Sequence, residues 1–222
     1  MPLYAKLYSD IDSPLGIFVQ NAVLPAEIFR HLIKFLMKGC VTMPVPENHK
    51  EIIESFILNF PVCEYRFLER SELIFSPHVR TICQTDCKRY GHSWACPPVI
   101  GTIEECIERC QKYEHAFLFS TVTDVADSFD MDGCLDARRD HEEVSWQITQ
   151  EFKKHFPDVL TLTTGCMICD ECAYPDAPCR HPDKRFATIE SHGILIMQMA
   201  AMQEMNYDCG CNIVTYFSLI LY

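Results

Sequence analysis

The stretch AFLFSTVT (116–123) is an almost continuous run of apolar and β-branched residues. A short run of this kind is typical of a strand that is buried on both faces of a sheet. Two similar runs follow, VLTLTT (159–164) and IVTYFSLILY (213–222). The earlier segment YRFLERSELIF (65–75) predicts a further extended stretch or a hairpin. Together these segments predict a central sheet.

Helical patterns separate the predicted strands. The segment TIEECIERCQKY (102–113) opens with Thr102 and Glu105, which have the spacing of a capping box. A second helix is predicted over about residues 134–155, and a third over ESHGILIMQMAAMQEM (190–205), which is apolar nearly all round and should be buried. Strands alternating with helices predict an α/β fold, or α+β, with a central mixed sheet, flanking helices and cysteine-rich metal-binding loops.

The N-terminal part has a different pattern. Helical spacing of apolar residues occurs in LPAEIFRHLIKFLMKG (24–39) and in PENHKEIIESFILNF (46–60), with a proline-containing linker between them. We therefore expect an N-terminal helical hairpin over residues 1–62 and a cysteine-rich metal-binding domain over residues 63–222. The hairpin either packs on the main body or serves as a contact for a partner, so a homodimer is one expectation.

Composition and charge narrow the class of protein. Of the 222 residues, 48% are hydrophobic and 23% are charged, which provides enough apolar material for a core. The net charge of −12 repels phosphate backbones, so nucleic acid is not an expected partner. The N-terminus has no pattern of a signal peptide, and no apolar run reaches the length of a membrane span. We therefore expect a cytoplasmic protein without a membrane contact.

The chain contains 14 cysteines. In a reducing cytoplasm, cysteines at close spacing favour metal binding over disulfides. The segment CMICDECAYPDAPC contains four of them, which we call the downstream thiols: Cys166, Cys169, Cys172 and Cys179. Three thiols at Cys-x-x-Cys-x-x-Cys spacing, followed by a more distant one, are typical of a 4Fe-4S cluster, whereas structural zinc sites commonly pair two Cys-x-x-Cys units.

A second group, which we call the upstream thiols, lies in CQTDCKRYGHSWACPP and consists of Cys83, Cys87 and Cys96. In one ligand scheme the downstream thiols hold a cluster alone. In another, the downstream triplet takes Cys96 as its fourth ligand, because Cys96 precedes proline as the remote cysteine of bacterial ferredoxins does. We prefer the first scheme, in which the upstream thiols form a second site with one iron open to substrate, water or His92. Zinc at either group is the alternative cofactor.

Other cysteines have weaker patterns. Cys106 and Cys110 lie one helical turn apart on the face that carries Ile103 and Ile107, so they either pack in the core or serve as additional metal ligands. Cys209 and Cys211 flank a glycine that indicates a turn before the last strand, and a ligand role for them stays open.

Two further residues are candidates for chemistry. Arg180 follows Cys179 directly, and its guanidinium would stabilise an anionic cluster or bind an anionic substrate. His92 lies between two upstream thiols and could donate or accept a proton near neutral pH. Arg180 and His92 are therefore the candidate catalytic residues.

Two motifs carry a family resemblance: VRTICQTDCKRYGHSWACPPVIGTIEECIERCQKYEHAFLFSTV and CMICDECAYPDAPCRHPDKRFATIESHGI. With the closing segment NIVTYFSLILY, they resemble the cysteine-rich "predicted metal-binding" proteins of unknown function found in anaerobic bacteria and archaea. The resemblance covers about residues 65–222. It implies no defined reaction, and it implies metal binding by Cys83, Cys96, Cys166, Cys169, Cys172 and Cys179, with Cys87, Cys106 and Cys110 as candidate additions.

Three functional hypotheses follow. The first is an iron–sulfur protein with one or two 4Fe-4S clusters that serves as an electron donor, or as a reductive activator, for a partner enzyme. The second is an enzyme in which an open iron acts as a Lewis acid on a small substrate, for dehydration or desulfuration. The third is a structural zinc module for protein interaction.

Overall fold

The computed structural model describes residues 18–19, 22–23, 45–127 and 129–222. The chain divides into two compact units, Met1–Pro44 and Val45–Tyr222. In the first unit, strands β1 (Phe18–Val19) and β2 (Ala22–Val23) form an antiparallel pair. The helix predicted over residues 24–39 lies outside the described residues, so the hairpin and the domain boundary after residue 62 stay predictions.

The second unit contains a sheet and five helices. Its strands are β3 (Glu64–Glu69), β4 (His115–Asp124), β5 (Leu160–Thr163), β6 (Ala187–Thr188) and β7 (Ile213–Leu221). Its helices are α1 (His49–Ile57), α2 (His78–Thr85), α3 (Ile103–Cys110), α4 (Met131–His155) and α5 (Ile196–Met202). Short 3₁₀ turns lie at Arg70–Glu72 and Glu190–His192. None of the helices described here combines the length and apolar content needed to cross a membrane.

The five strands of the second unit form one mixed sheet in the order β3-β4-β7-β5-β6. The pairs β3–β4, β4–β7 and β7–β5 are antiparallel, whereas the pair β5–β6 is parallel. The longest pairing joins β4 and β7 from Ala116↔Leu221 to Asp124↔Ile213, which places both apolar runs in the middle of the sheet. The predicted central mixed sheet with flanking helices is thereby confirmed.

Both faces of the sheet are covered, which explains why β4 is apolar at successive positions. Phe117 and Phe119 point to the face that packs against α1 and α4, and neither is exposed to solvent. Ala116 and Leu118 point to the opposite face, where they pack with residues of α3 and α5. Burial of each phenylalanine side chain stabilises the fold by about 1.5–3 kcal/mol.

Several predicted elements are confirmed. Strands occur at 115–124, 160–163 and 213–221, and the segment that begins at Tyr65 is extended. The predicted capping box is present, because Thr102 Oγ1 accepts a hydrogen bond from the Glu105 N–H at 3.2 Å and Glu105 Oε2 accepts one from the Thr102 N–H at 2.8 Å. Helix α1 confirms the helix predicted over 46–60, and it packs against α4 in the second unit.

The prediction of a single helix over residues 190–205 is wrong. The segment begins as a 3₁₀ turn and stops at Gly193, whose φ of 75° ends the helical path. Ile194 then forms a β-bridge with Phe75, and only Ile196–Met202 is α-helical. The positive φ of Gly193 favours glycine at this turn, and a β-carbon there would also lie 2.8 Å from Ile103 Cδ1 on α3.

Candidate metal centre

The loop that carries the downstream thiols begins directly after β5. Thr163 Oγ1 accepts the Gly165 N–H at 3.1 Å, and Glu142 on α4 accepts the Thr164 N–H at 3.1 Å. Gly165 has a φ of 111°, and a β-carbon there would lie 2.7 Å from Thr188 Cγ2 and 3.2 Å from Arg138 Nη2. Helix α4 and glycine together fix the point at which the chain leaves the sheet and enters the loop.

All four downstream thiols line one cavity. Cys166, Cys169, Cys172 and Cys179 are each partly buried, and the cavity opens to the surface. Other side chains share its wall and are mainly cationic or aromatic: Arg89, Trp94, Arg180, His181 and Arg185. Within 45–127 and 129–222, no three His, Cys, Asp or Glu side chains converge tightly enough to enclose a single metal ion. The fit to a metal group therefore rests on donor chemistry, because four soft thiol donors share one concave site.

The upstream loop covers this cavity through Trp94. Its backbone N–H donates to Cys172 Sγ at 3.4 Å, and its indole N–H donates to the Ala177 carbonyl at 2.9 Å. The indole also meets Tyr174 edge to face, with ring centroids 5.0 Å apart. On another side, Arg185 lies 6.0 Å from the indole ring centroid. Trp94 thus fastens the upstream loop to the downstream loop and shields one side of the thiols from water.

Arginines bring positive charge to the thiols. Arg89 donates to the Cys166 carbonyl at 2.9 Å and to Met167 Sδ at 3.4 Å. Arg180 donates to the Glu171 carbonyl, which holds its guanidinium beside the loop. Positive charge of this kind would offset the negative charge of thiolate ligands.

The environment of each thiol sets its acidity. Burial raises the pKa of Cys166, against a hydrogen bond from the Ile168 N–H. Burial also acts to raise the pKa of Cys172, but hydrogen bonds from the Tyr174 and Trp94 N–H groups and from Ser93 outweigh it, so the pKa of Cys172 is lowered. Cys172 is therefore held in an environment that already favours the thiolate, which is the form that binds metal.

The upstream thiols do not line the cavity of the downstream thiols. Cys83 is on α2, Cys87 follows that helix on the surface, and Cys96 is buried. Burial and the nearby Cys87 thiol both raise the pKa of Cys83. Cys96 has Cys87 as a neighbour too, but it does not line the cavity of the downstream thiols. The structure therefore gathers the downstream four at one cavity, whereas the upstream three lie within electrostatic range of one another.

Cys106 and Cys110 lie inside the fold, and neither is exposed to solvent. Cys110 packs in the apolar cluster between the sheet and α5, and burial raises its pKa to about 12. Cys106 Sγ accepts a hydrogen bond from Arg80 at 3.2 Å, and the same Arg80 nitrogen donates to the Ser191 carbonyl at 2.8 Å. Both thiols are thus in contact with the body of the fold, away from the cavity of the downstream thiols.

The remaining candidate residues differ in whether they line the cavity of the downstream thiols. Arg180 lines the cavity, whereas His92 is exposed on the upstream loop and does not line it. Cys209 accepts a hydrogen bond from Thr215 Oγ1 at 3.5 Å, and Cys211 is exposed beside it at the turn before β7. Sequence reasoning did not single out Arg89, although its position between Cys87 and Cys96 was the available signal.

A comparison with protein-family models bears on this arrangement. Residues 66–222 match the model of the DUF2284 family, whose description is "predicted metal-binding protein". The chain belongs to this family. The matched region contains all the upstream and downstream thiols, so the family description and the gathering of thiols point to the same property. The description of DUF2284 names neither the metal nor a reaction. Searches of curated proteins and of solved structures returned no match.

Proposed function

We propose that this DUF2284 protein is an iron–sulfur protein that transfers electrons to a partner enzyme. In this proposal one 4Fe-4S cluster is held by Cys166, Cys169, Cys172 and Cys179. The observation that carries it is that these four thiols, spaced as in cluster-binding loops, line a single cavity while Cys96 does not. That difference favours the scheme in which the downstream thiols need no upstream ligand.

The residues around the cavity suit an anionic cluster. When bound, a 4Fe-4S cluster supplies one-electron transfer. The Trp94 N–H donates to Cys172 Sγ, and Arg89 and Arg180 add positive charge at the rim. Hydrogen bonds to sulfur and nearby cations raise the reduction potential of such a group, because both stabilise its more negative state. These residues would therefore set the potential.

Access to the cavity suits exchange of electrons with another protein. The thiols are partly buried, and Ile168 at the tip of the loop is 38% exposed. An exposed apolar tip beside a cluster gives a partner a contact close to the donor. The net charge of −12 favours a partner with a basic docking patch and predicts association that weakens as salt is added.

The proposal is tested by redox titration of protein purified without oxygen. Dithionite should bleach the visible absorbance, and a mild oxidant should restore it, without any substrate. Arg180→Gln should lower the midpoint potential, because it removes a cation from the cavity wall. Arg139→Gln is the matched control, since Arg139 is exposed on α4 and pairs with Asp136. Iron that cannot be reversibly reduced would refute an electron-transfer role.

A second candidate is an enzyme with an open iron at the upstream thiols. The observation that favours it is that Cys83, Cys87 and Cys96 lie within electrostatic range of one another, so that the charge of one thiolate raises the pKa of another, and that none of them lines the downstream cavity. Three protein thiolates would leave one iron position for a small substrate. In this case addition of the substrate should change the spectrum of the protein, whereas a fully ligated electron carrier should show no change.

A further inference from the structure

The sheet opens at the carboxyl end of β5. Strands β5 and β7 pair only from Leu160↔Leu221 to Leu162↔Leu219. β5 ends at Thr163 and pairs with β6 on its other edge, while β7 continues to Ile213 along β4. In the part of the chain that the structure describes, no strand pairs with Thr215–Phe217 on the side that faces β5. Because β5 ends before this part of β7, the edge of β7 is left open there.

A cleft of about 410 Å³ lies at this open edge. Clefts of roughly 300–1,000 Å³ commonly hold small molecules. Its wall is formed by one side of α4, the end of β5, the 3₁₀ turn, the start of α5 and β7, and includes Leu135, Arg138, Thr164, Glu190, Ile196, Tyr207, Tyr216 and Phe217. Thr164 lies two residues before Cys166, so the cleft adjoins the start of the candidate metal loop. The cleft has a different set of lining residues from the thiol cavity.

Two opposite charges line the cleft without pairing. Arg138 and Glu190 are both partly buried, and neither takes part in an ion pair with another described residue. Arg138 Nε donates to Thr164 Oγ1 at 2.9 Å, and Nη2 donates to the Thr164 carbonyl, so Nη1 is left for another acceptor. The neighbouring Glu142 is already occupied by three hydrogen bonds from Thr163 and Thr164.

Among the described residues, no cationic side chain forms an ion pair with Glu190. Burial raises the pKa of Glu190, and its own backbone N–H and the more distant Arg138 oppose that shift. An ammonium group in the cleft would stabilise its carboxylate, because a partly desolvated anion gains most from a direct ion pair. A planar carboxylate would correspondingly suit the free side of the Arg138 guanidinium.

Aromatic and aliphatic side chains form much of the rest of the wall. Tyr207 stacks on Phe217, with ring centroids 5.5 Å apart and planes 10° apart. Ile189 and Ile196 extend this surface toward α5. A ligand that satisfied both charges would therefore place any side chain against aromatic and aliphatic groups.

We propose that the cleft binds a small zwitterion with an apolar side chain, of the class of free amino acids. The carboxylate of the ligand lies on Arg138, its ammonium on Glu190, and its side chain on the Tyr207–Phe217 pair. The inference does not rest on which metal the downstream thiols hold. A bound ligand would contact Thr164, so it would also touch the segment that leads into the candidate metal loop.

Isothermal titration calorimetry on the full chain, purified with its metal, tests the proposal. The probes are L-phenylalanine, 3-phenylpropionate, which lacks the ammonium, and phenylalaninamide, which lacks the carboxylate. L-phenylalanine should bind at least about tenfold more tightly than either, since each loses one charged contact. Equal affinities for the three probes, or no saturable binding of L-phenylalanine at millimolar concentration, would overturn the proposal.

Single substitutions test which residue of the cleft contacts each charged group of the ligand. Glu190→Gln keeps the shape of the side chain and should weaken binding of L-phenylalanine about tenfold while leaving 3-phenylpropionate unchanged. Glu108→Gln, an exposed carboxylate on α3, is the matched control and should change neither affinity. Arg138 is not the first choice, because it also holds Thr164 in place. If Glu190→Gln binds L-phenylalanine as the parent chain does, the assignment of the ammonium site is wrong.

Discussion

Acid should destabilise this fold through His141, which is 1% exposed on α4. Its Nδ1 lies 2.8 Å from Thr121 Oγ1 and its Nε2 lies 2.8 Å from Ser218 Oγ, so α4 is tied to β4 and β7 by a buried polar network. Burial lowers the pKa of His141 from 6.5 to about 4. The imidazole is therefore neutral in the folded chain over a pH range in which the unfolded chain protonates it.

The size of the loss of stability follows from the difference in the pKa of His141 between the folded and the unfolded chain. Between pH 6.5 and about pH 4 the unfolded state binds one more proton at this site than the folded state, so the free energy of unfolding falls as the pH is lowered. A difference of about 2.5 pKa units corresponds to about 3 kcal/mol at the lower end of the range. Burial lowers the pKa of His192 to about 4 as well, which adds a loss of the same sign. Glu142 and Glu190 act in the opposite direction, because burial raises their pKa values.

The assay compares the parent chain with His141→Gln by urea unfolding, without oxygen, at several pH values from neutrality to about pH 4. The glutamine amide can still bond one of the two hydroxyl groups but does not titrate. Effects of acid on the metal centre are common to both proteins and cancel in the difference. The stability gap between parent and variant should narrow by about 3 kcal/mol as the pH falls. His155→Gln, an exposed residue of the same helix, is the control. Parallel pH profiles for the parent and His141→Gln would contradict a lowered pKa of His141 in the folded chain.

Three further predictions concern packing. Trp94→Ala should speed the loss of visible absorbance in air, because it removes the indole that covers the thiols. Trp94→Phe should speed this loss less, and equal decay rates would contradict a shielding role. Gly193→Ala should lower the free energy of unfolding by more than Gly91→Ala, since both glycines have positive φ but only Gly193 has a side chain, Ile103, within 2.8 Å of the added methyl group. Phe152→Ala should lower the free energy of unfolding in urea by about 3–5 kcal/mol, because this side chain of α4 is fully buried against α1 and the sheet. A loss below about 1 kcal/mol would show that the packing of α4 on the sheet is not as described.

The sheet was predictable because its central strands are apolar on both faces. Runs such as 116–123 and 213–222 have few alternatives to a buried strand, whereas their pairing with each other is seen only in the structure. The capping box at Thr102 was equally local, since both partners lie within four residues. Where the deciding contact is distant in sequence, the pattern failed. The helical path ends at Gly193, which takes a φ of 75°, and the chain then forms the bridge from Ile194 to Phe75, a contact that the apolar segment 190–205 does not show.

The features of the candidate site were likewise predictable where they are local in sequence and not where they depend on distant contacts. The spacing of the downstream thiols was sufficient to group them, and the structure places all four at one cavity. The cover provided by the upstream loop depends on contacts such as the Trp94 N–H to Cys172, which join residues 78 positions apart. The contribution of Arg89 depends on a similar long-range contact to the Cys166 carbonyl. Sequence spacing cannot show such contacts, because it constrains only ligands on one short loop.

Metal and sulfide analysis of protein purified without oxygen decides whether the downstream thiols hold a 4Fe-4S cluster. We expect iron and acid-labile sulfide in equal amounts, with little zinc. Cys169→Ala should remove the iron assigned to the downstream thiols, while Cys110→Ala, a thiol in the apolar core, should leave it in place. Zinc without sulfide, or an iron content unchanged by Cys169→Ala, would contradict a cluster at Cys166, Cys169, Cys172 and Cys179.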